Sequence, residues 1–182
     1  MSETVDRLLD AAENAVRMRG YHAVSFRDLA DELGIKSASV HYHFPQKEDL
    51  GLALVERYSK RLFSDLERRA AKSETPKDRL AALCKTYQQS LRSSDKICLC
   101  GLLGAEKNGL PENLGRAVAA FFDANIRWVV KALPSNMPAK RRQAKAAQII
   151  ATLQGAVMLA TCLNNPKLFD AAANEILADF EG

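Results

Sequence analysis

The chain reads as an all-α protein of about nine helices, with three in an N-terminal helix-turn-helix head and the rest in a larger C-terminal helical bundle. Three observations predict this. Apolar residues recur at helical spacing along nearly all of the 182 residues. The breaks between these periodic stretches carry glycine, proline or a capping residue. No stretch alternates with period two or clusters β-branched residues as a strand would.

The first helix carries one apolar stripe, Val5, Leu8, Leu9, Ala12, Ala15 and Val16, and Gly20 stops it. Residues 25–50 then read SFRDLADELGIKSASVHYHFPQKEDL. Phe26, Leu29, Ala30 and Leu33 fall at i, i+3, i+4 and i+7 of a short amphipathic helix. Gly34 is placed to end it in the left-handed conformation of a sharp C-cap. Ile35 plugs the turn, and Ser37 is expected to N-cap the next short helix, on which Val40 and Phe44 face inward. Pro45 breaks the chain. A long helix is predicted from about Gln46 to Ala71, with Leu50, Leu54, Tyr58, Leu62 and Leu66 on its apolar face and a basic far end.

Thr75-Pro76 is an N-cap and N1 pair. It opens a helix to about Leu91 with Leu80, Leu83, Cys84, Tyr87 and Leu91 inward. Ser93-Ser94-Asp95 reads as a turn, and Ile97 to Lys107 as a short apolar helix ended by Asn108-Gly109-Leu110-Pro111. Residues 112–133 form a helix bearing Phe121, Phe122 and Trp128. The last two helices are predicted at about 139–163 and 167–180, separated by Asn164-Asn165-Pro166. No internal repeat is visible.

Two short helices meeting across a glycine turn form the unit that places a recognition helix in the major groove of DNA. Lys36, Ser37, Ser39, His41, Tyr42 and His43 are left pointing outward from it. Hydroxyl, imidazole and phenol groups donate to phosphates and base edges. Lys47 opens the following helix, where a positive side chain works against the helix dipole, and a phosphate facing that end would explain it. With Arg27 these residues make the candidate DNA-binding set.

The stretch LLDAAENAVRMRGYHAVSFRDLADELGIKSASVHYHFPQKEDL resembles the N-terminal DNA-binding domain of TetR-type regulators. The resemblance rests on the Ala-rich first helix, Gly20-Tyr21, Leu29-Ala30, Gly34, Tyr42-His43-Phe44-Pro45 and Lys47-Glu48-Asp49-Leu50, and covers roughly the first 50 residues. It leaves open whether His41 or Tyr42 makes the phosphate contact. It implies a DNA-binding domain at 1–50 and an effector-binding and dimerisation domain at 51–182. It also implies a homodimer on near-palindromic double-stranded operator DNA, acting as a repressor released by a small-molecule effector. Tyr87, Leu102, Phe121, Phe122, Trp128 and Met158 are the candidates for lining that effector's cavity. Ile149, Ile150, Leu153, Val157, Leu168, Phe169, Ile176 and Phe180 are expected to pack against their symmetry mates as a four-helix interface. Ala146, Ala147, Ala151 and Gly155 would permit close approach.

Net charge is +4, yet residues 1–50 carry six Lys/Arg against nine acids and the remainder twenty against thirteen. The predicted head therefore has no general basic coat, and DNA binding must come from a few aimed cations and backbone N–H groups. The charged, helical N-terminus is not a signal peptide. The most apolar run, Ala146 to Leu163, is too short and polar to span a bilayer, so no membrane is expected. Four cysteines without a secretion signal fit a reducing cytoplasm. Cys84 and Cys162 lie on apolar stripes as core. Cys98-x-Cys100 is too little for a metal site. These two cysteines open a short helix near Lys96, where the helix dipole would favour a thiolate, so they are the candidates for an alternative cysteine-based electrophile or oxidant sensor. At their spacing at most one would be exposed. No nucleophile–base pair, metal set or phosphate loop is present, so no cofactor and no enzymatic activity are expected; an enzyme or a helical protein-interaction adaptor is the distant alternative.

Overall fold

The computed structural model describes residues 3–94 and 97–180. Among these, nine α-helices and one 3₁₀ turn follow one another, with no strand. They are α1 (Glu3–Arg19), α2 (Phe26–Leu33), α3 (Ser37–His43), α4 (Lys47–Ala70), α5 (Pro76–Ser94), α6 (Leu99–Ala105), the 3₁₀ turn Lys107–Gly109, α7 (Glu112–Ala132), α8 (Ala139–Cys162) and α9 (Lys167–Ala178). The expected all-α class and helix count hold. Most ends fall within two residues of where capping and proline placed them. α5 runs on to Ser94, past the turn expected at Ser93-Ser94-Asp95; Asp95 and Lys96 lie outside the described residues.

The chain packs as two units. The first takes in the chain up to Ser59 together with Leu99–Phe121; the second takes Lys60–Cys98 and the chain from Phe122 onward. Packing carries the first unit past the boundary expected at residue 50, giving it the start of α4, all of α6 and the first half of α7.

In the first unit α1 packs on α2 and α6, and α2 on α3. Leu8, Leu9, Ala12 and Val16 of α1 are buried, as are Leu29, Val40, Phe44, Leu50 and Leu54. Burying a side chain of this size stabilises by roughly 1.5–3 kcal/mol, so the stripe read from the sequence is what fixes α1. One buried carboxylate, Glu13, ties α1 to α4. Arg57 of α4 reaches it at 3.4 Å, reaches Asp10 at 2.8 Å and donates to the carbonyl of Asp6 at 3.3 Å. A buried carboxylate is costly unless paired, and the guanidinium supplies the pair.

The second unit has its own apolar core, with Leu66 from α4, Leu80, Leu83 and Tyr87 from α5, Val129 from α7, Ile149, Ile150, Leu153 and Val157 from α8, and Phe169 and Ile176 from α9. α8 packs on α9, and both pack on α5. Within it the Tyr87 hydroxyl donates to buried Asn125 at 3.0 Å, satisfying both polar groups away from water. No helix is long and apolar enough to cross a membrane.

Candidate nucleic-acid interface

The head is built from its turn outward. Ser25 caps α2 in extended geometry, and its hydroxyl accepts the Asp28 N–H at 3.1 Å while the Asp28 carboxylate accepts the Ser25 N–H at 3.2 Å. These reciprocal bonds satisfy two donors that a helix start leaves open. They also hold the Asp28 carboxyl below its ordinary range. At the other end Gly34 adopts φ +65°, and Ile35 donates to the Ala30 carbonyl at 3.0 Å. A Cβ on Gly34 would touch nothing within 4 Å, so the left-handed backbone rather than space asks for glycine here.

α3 then starts at Ser37. Its N-cap is Lys36, without a side-chain bond, so Ser37 is the first helical residue and not the cap that was expected. The cap position fell one residue earlier because Ser39 already donates to the Lys36 carbonyl at 2.8 Å. Val40 and Phe44 are buried, as their spacing predicted. The remaining faces carry the candidate contacts. Lys36, His41 and Tyr42 are exposed; Ser37, Ser39 and His43 are half-buried. The His41 ring stands edge-on to Phe26 with centroids 4.8 Å apart, and Tyr42 stands edge-on to His43 at 5.1 Å. His41 thus rests on the buried Phe26 of α2, whereas Tyr42 touches only its neighbour His43 and is 83% exposed. Arg27 is exposed and lies 3.9 Å from Asp31, a loose pair that water screens.

Lys47 is placed differently from expectation. Its Nζ donates to the His22 carbonyl at 3.1 Å and sits 4.7 Å above the Tyr21 ring. Burial holds the ammonium below its ordinary range, with Glu106 opposing. Tyr21 is itself buried, and its phenol is pushed up to about 12 by that burial, with Glu48 and Asp49 adding to it. Lys47 thus braces the turn between α1 and α2 with one of its three ammonium donors.

Sequence reasoning missed Glu106. Its Oε2 accepts the Tyr21 N–H at 2.9 Å. Gly20 next to it has φ +82°, and a Cβ there would lie 2.3 Å from Glu106 Oε1. No local pattern links residues so far apart; the bare glycine at position 20 was the sole hint of close approach.

The other candidates separate. Of the eight residues expected at a dimer interface, Ile149, Ile150, Leu153, Val157, Phe169 and Ile176 are buried inside the protomer, and Leu168 and Phe180 are half-buried. The correction follows from α8 being apolar on both faces, since its bulky β-branched and Leu side chains fill the core. Outside it leaves Ala147, Ala151, Met158, Leu159 and Leu163, the last three 48%, 55% and 63% exposed. Ala146 is core too, whereas a Cβ on Gly155 would meet nothing within 4 Å.

The six effector candidates are not gathered around one cavity. Leu102 and Phe121 belong to the first unit, where Phe121 lies 5.8 Å from the Tyr58 ring. In the second unit Tyr87 is buried against Asn125, Phe122 packs at the core edge and Met158 is exposed. Trp128 lines a groove of about 480 Å³. Cys98 and Cys100 are both buried, so neither presents a thiol to solvent; Lys96 lies outside the described residues. Cys84 is buried as expected, but Cys162 is exposed at the end of α8. Among the described residues no cluster could hold a metal ion.

Comparison with known proteins matches residues 8–54 to the description "Bacterial regulatory proteins, tetR family" and residues 76–175 to "Transcriptional regulator LmrA/YxaF-like, C-terminal domain". The HTH-type transcriptional regulator BetI of Brucella anthropi is 28% identical over 137 residues, covering 74% of this chain and 71% of that protein. The solved structure of a TetR transcriptional regulator from Legionella pneumophila superposes with a TM-score of 0.90 at 29% identity, over 97% of this chain and 96% of that one. A TetR-family regulator from Agrobacterium tumefaciens gives 0.87 at 26% identity, over 96% of both chains.

Proposed function

The chain belongs to the TetR family of bacterial transcriptional regulators, DNA-binding proteins with a helix-turn-helix head, and we propose that it acts as a homodimeric repressor released from a near-palindromic operator by a small-molecule effector. The observation that carries this reading is α3. Val40 and the capping residue Phe44 are spent inside the head, and Ser37, Ser39, His41, Tyr42 and His43 remain for a partner outside. Ser39 and His41 read base edges, while Tyr42, Lys36, Arg27 and Lys47 meet phosphates.

Two copies of α3 read two half-sites when the protomers are related by a twofold axis. The outer face of α8, with Ala147, Ala151, Gly155, Met158, Leu159 and Leu163, supports such pairing: it is apolar, and Gly155 leaves room for a partner's backbone. Release by an effector requires that it bind better to a conformation whose heads are mis-set for the operator. Glu106, just after α6, supports a route, because movement of that segment would be felt at the Tyr21 backbone. The place of work is the cytoplasm, with the operator.

The experiment is selection of bound sequences from random duplexes, followed by titration of the best duplex at several salt concentrations. A palindromic consensus bound by two protomers, with affinity falling steeply as salt rises, is the expected result. Binding that ignores sequence, or one protomer on one half-site, would overturn the reading.

A further inference from the structure

The groove in the second unit has walls from α4, α5 and α7 and a composition that singles out a ligand class. Phe63 and Trp128, both half-buried, supply aromatic surface. The Trp128 indole N–H donates to one oxygen of Glu67 at 2.8 Å, which pins the ring, while the Glu67 carboxylate, itself part of the lining, keeps its negative charge. The indole therefore offers its face, not its donor, to an occupant. Three cations line the same groove: Arg79, Arg127 and Lys131. Arg127 pairs with Asp123 one turn away on α7. Arg79 and Lys131 have no ion pair among the described residues, so against the single Glu67 carboxylate the lining stays net positive beside its aromatic walls.

We propose that this groove binds an organic anion with a flat aromatic body, its ring against Trp128 and Phe63 and its carboxylate met by Arg79 and Lys131. A neutral aromatic would gain the rings but leave the cations unanswered. An inorganic anion would meet the cations but leave the apolar walls wet. A carboxylate on a short arm satisfies both, and its two oxygens can take a bidentate contact from a guanidinium. As an effector site the groove rests on the release mechanism proposed above; as a binding site it stands independently of it.

The chain has one tryptophan, so indole emission reports on this groove alone. The full-length protein is titrated with 3-phenylpropanoate, 3-phenylpropanol and 3-phenylpropylamine, following emission and heat. The expected result is a saturable change with the carboxylate, weaker binding of the alcohol and none of the amine. Arg79→Gln combined with Lys131→Gln should weaken the carboxylate by about tenfold or more, while its binding approaches that of the alcohol. Lys131→Glu alone, at a solvent-facing position, gives the same direction if the double variant folds poorly. Absence of saturation, equal binding of amine and carboxylate, or undiminished binding by the folded variants would each overturn the proposal. The same ligand is then added to the protein–operator complex. Release identifies the groove as the effector site. Tight groove binding with unchanged operator affinity sustains the anion site and removes its role in release.

Discussion

Glu106 Oε2 accepts the backbone N–H of Tyr21 at 2.9 Å across 85 residues of sequence, and the same carboxylate fills the space where a Cβ on Gly20 would stand. The pair gives a double-mutant test. Gly20→Ala should destabilise by about 1–2 kcal/mol from its left-handed backbone alone, with the clash against Glu106 added. Glu106→Ala leaves a part-buried amide without its acceptor, at a cost of about 1–3 kcal/mol. Together they should cost less than their sum by about 1 kcal/mol, because the second change relieves the clash made by the first. Denaturant melts of all four proteins measure the coupling; strict additivity would show that the carboxylate does not stand against position 20, and an unchanged Glu106→Ala melt that it does not hold the Tyr21 amide.

Tyr42 and Lys47 separate contact from bracing. Tyr42→Phe removes one hydroxyl from an exposed ring, so the melting temperature should stay put while operator affinity falls by about tenfold, the size of a hydrogen bond to a charged acceptor. Lys47→Ala removes a charge and a brace at once. It should weaken binding to all duplexes alike, lower the salt slope by about one and also lower the melting temperature, because the Tyr21 ring and His22 carbonyl lose their cation. An unchanged salt slope with a lowered melt would reduce Lys47 to a brace.

Leu159→Glu tests the proposed dimer face. The side chain is exposed in the protomer, so the fold should survive while sedimentation shifts to the monomer and operator affinity collapses. Leu153→Glu is no substitute: Leu153 is fully buried, and a carboxylate there would unfold the protomer before any interface was tested. A Leu159→Glu variant that remains dimeric would move the interface off this face.

Two capping boxes predict an acid limb. Bonds from Ser25 hold the Asp28 carboxyl low, and Thr75 does the same for Asp78, its hydroxyl accepting the Asp78 N–H at 3.1 Å while the Asp78 carboxylate accepts the Thr75 N–H at 3.0 Å. A carboxyl lowered by folding contributes stability that is present above its unfolded value near pH 4 and lost as pH falls through the folded value. Ser25→Ala with Thr75→Val should therefore lower stability at neutral pH, and the gap to the parent protein should narrow on acidification. A gap that stays constant between pH 6 and pH 3 would mean that neither carboxylate is held by its cap.

What could be read in the sequence was what local spacing decides. The stripe of α1, the burial of Val40 and Phe44 and the left-handed Gly34 are all settled within a turn or two of chain. α8 was different. Ile149, Leu153 and Val157 alternate with Ala147, Ala151 and Met158 around the whole helix, so periodicity could not say which side faces the core. Size decided it, with the bulky side chains inward and the small ones left outside. Lys47 and Glu106 were hidden for another reason. Their partners, the His22 carbonyl, the Tyr21 ring and the Tyr21 amide, are brought to them by the fold, and backbone groups leave no mark on side-chain pattern. The i, i+2 spacing of Cys98 and Cys100 allowed at most one exposed thiol, and the structure buries both, because that helix start lies in the interior.

The unequal burial of the four thiols makes the chain a gauge of its own breathing. In the Leu159→Glu protomer, whose α8 outer face is left uncovered, Cys162 should react with an alkylating reagent at the rate of a free peptide, and the other three thiols only when the structure opens around them. Cys84, whose thiol is pushed up to about 11 by burial, and Cys98 report on the second unit, and Cys100 on the first. Mass spectrometry of partly labelled protein, site by site, would then read how far each unit loosens before the whole chain unfolds.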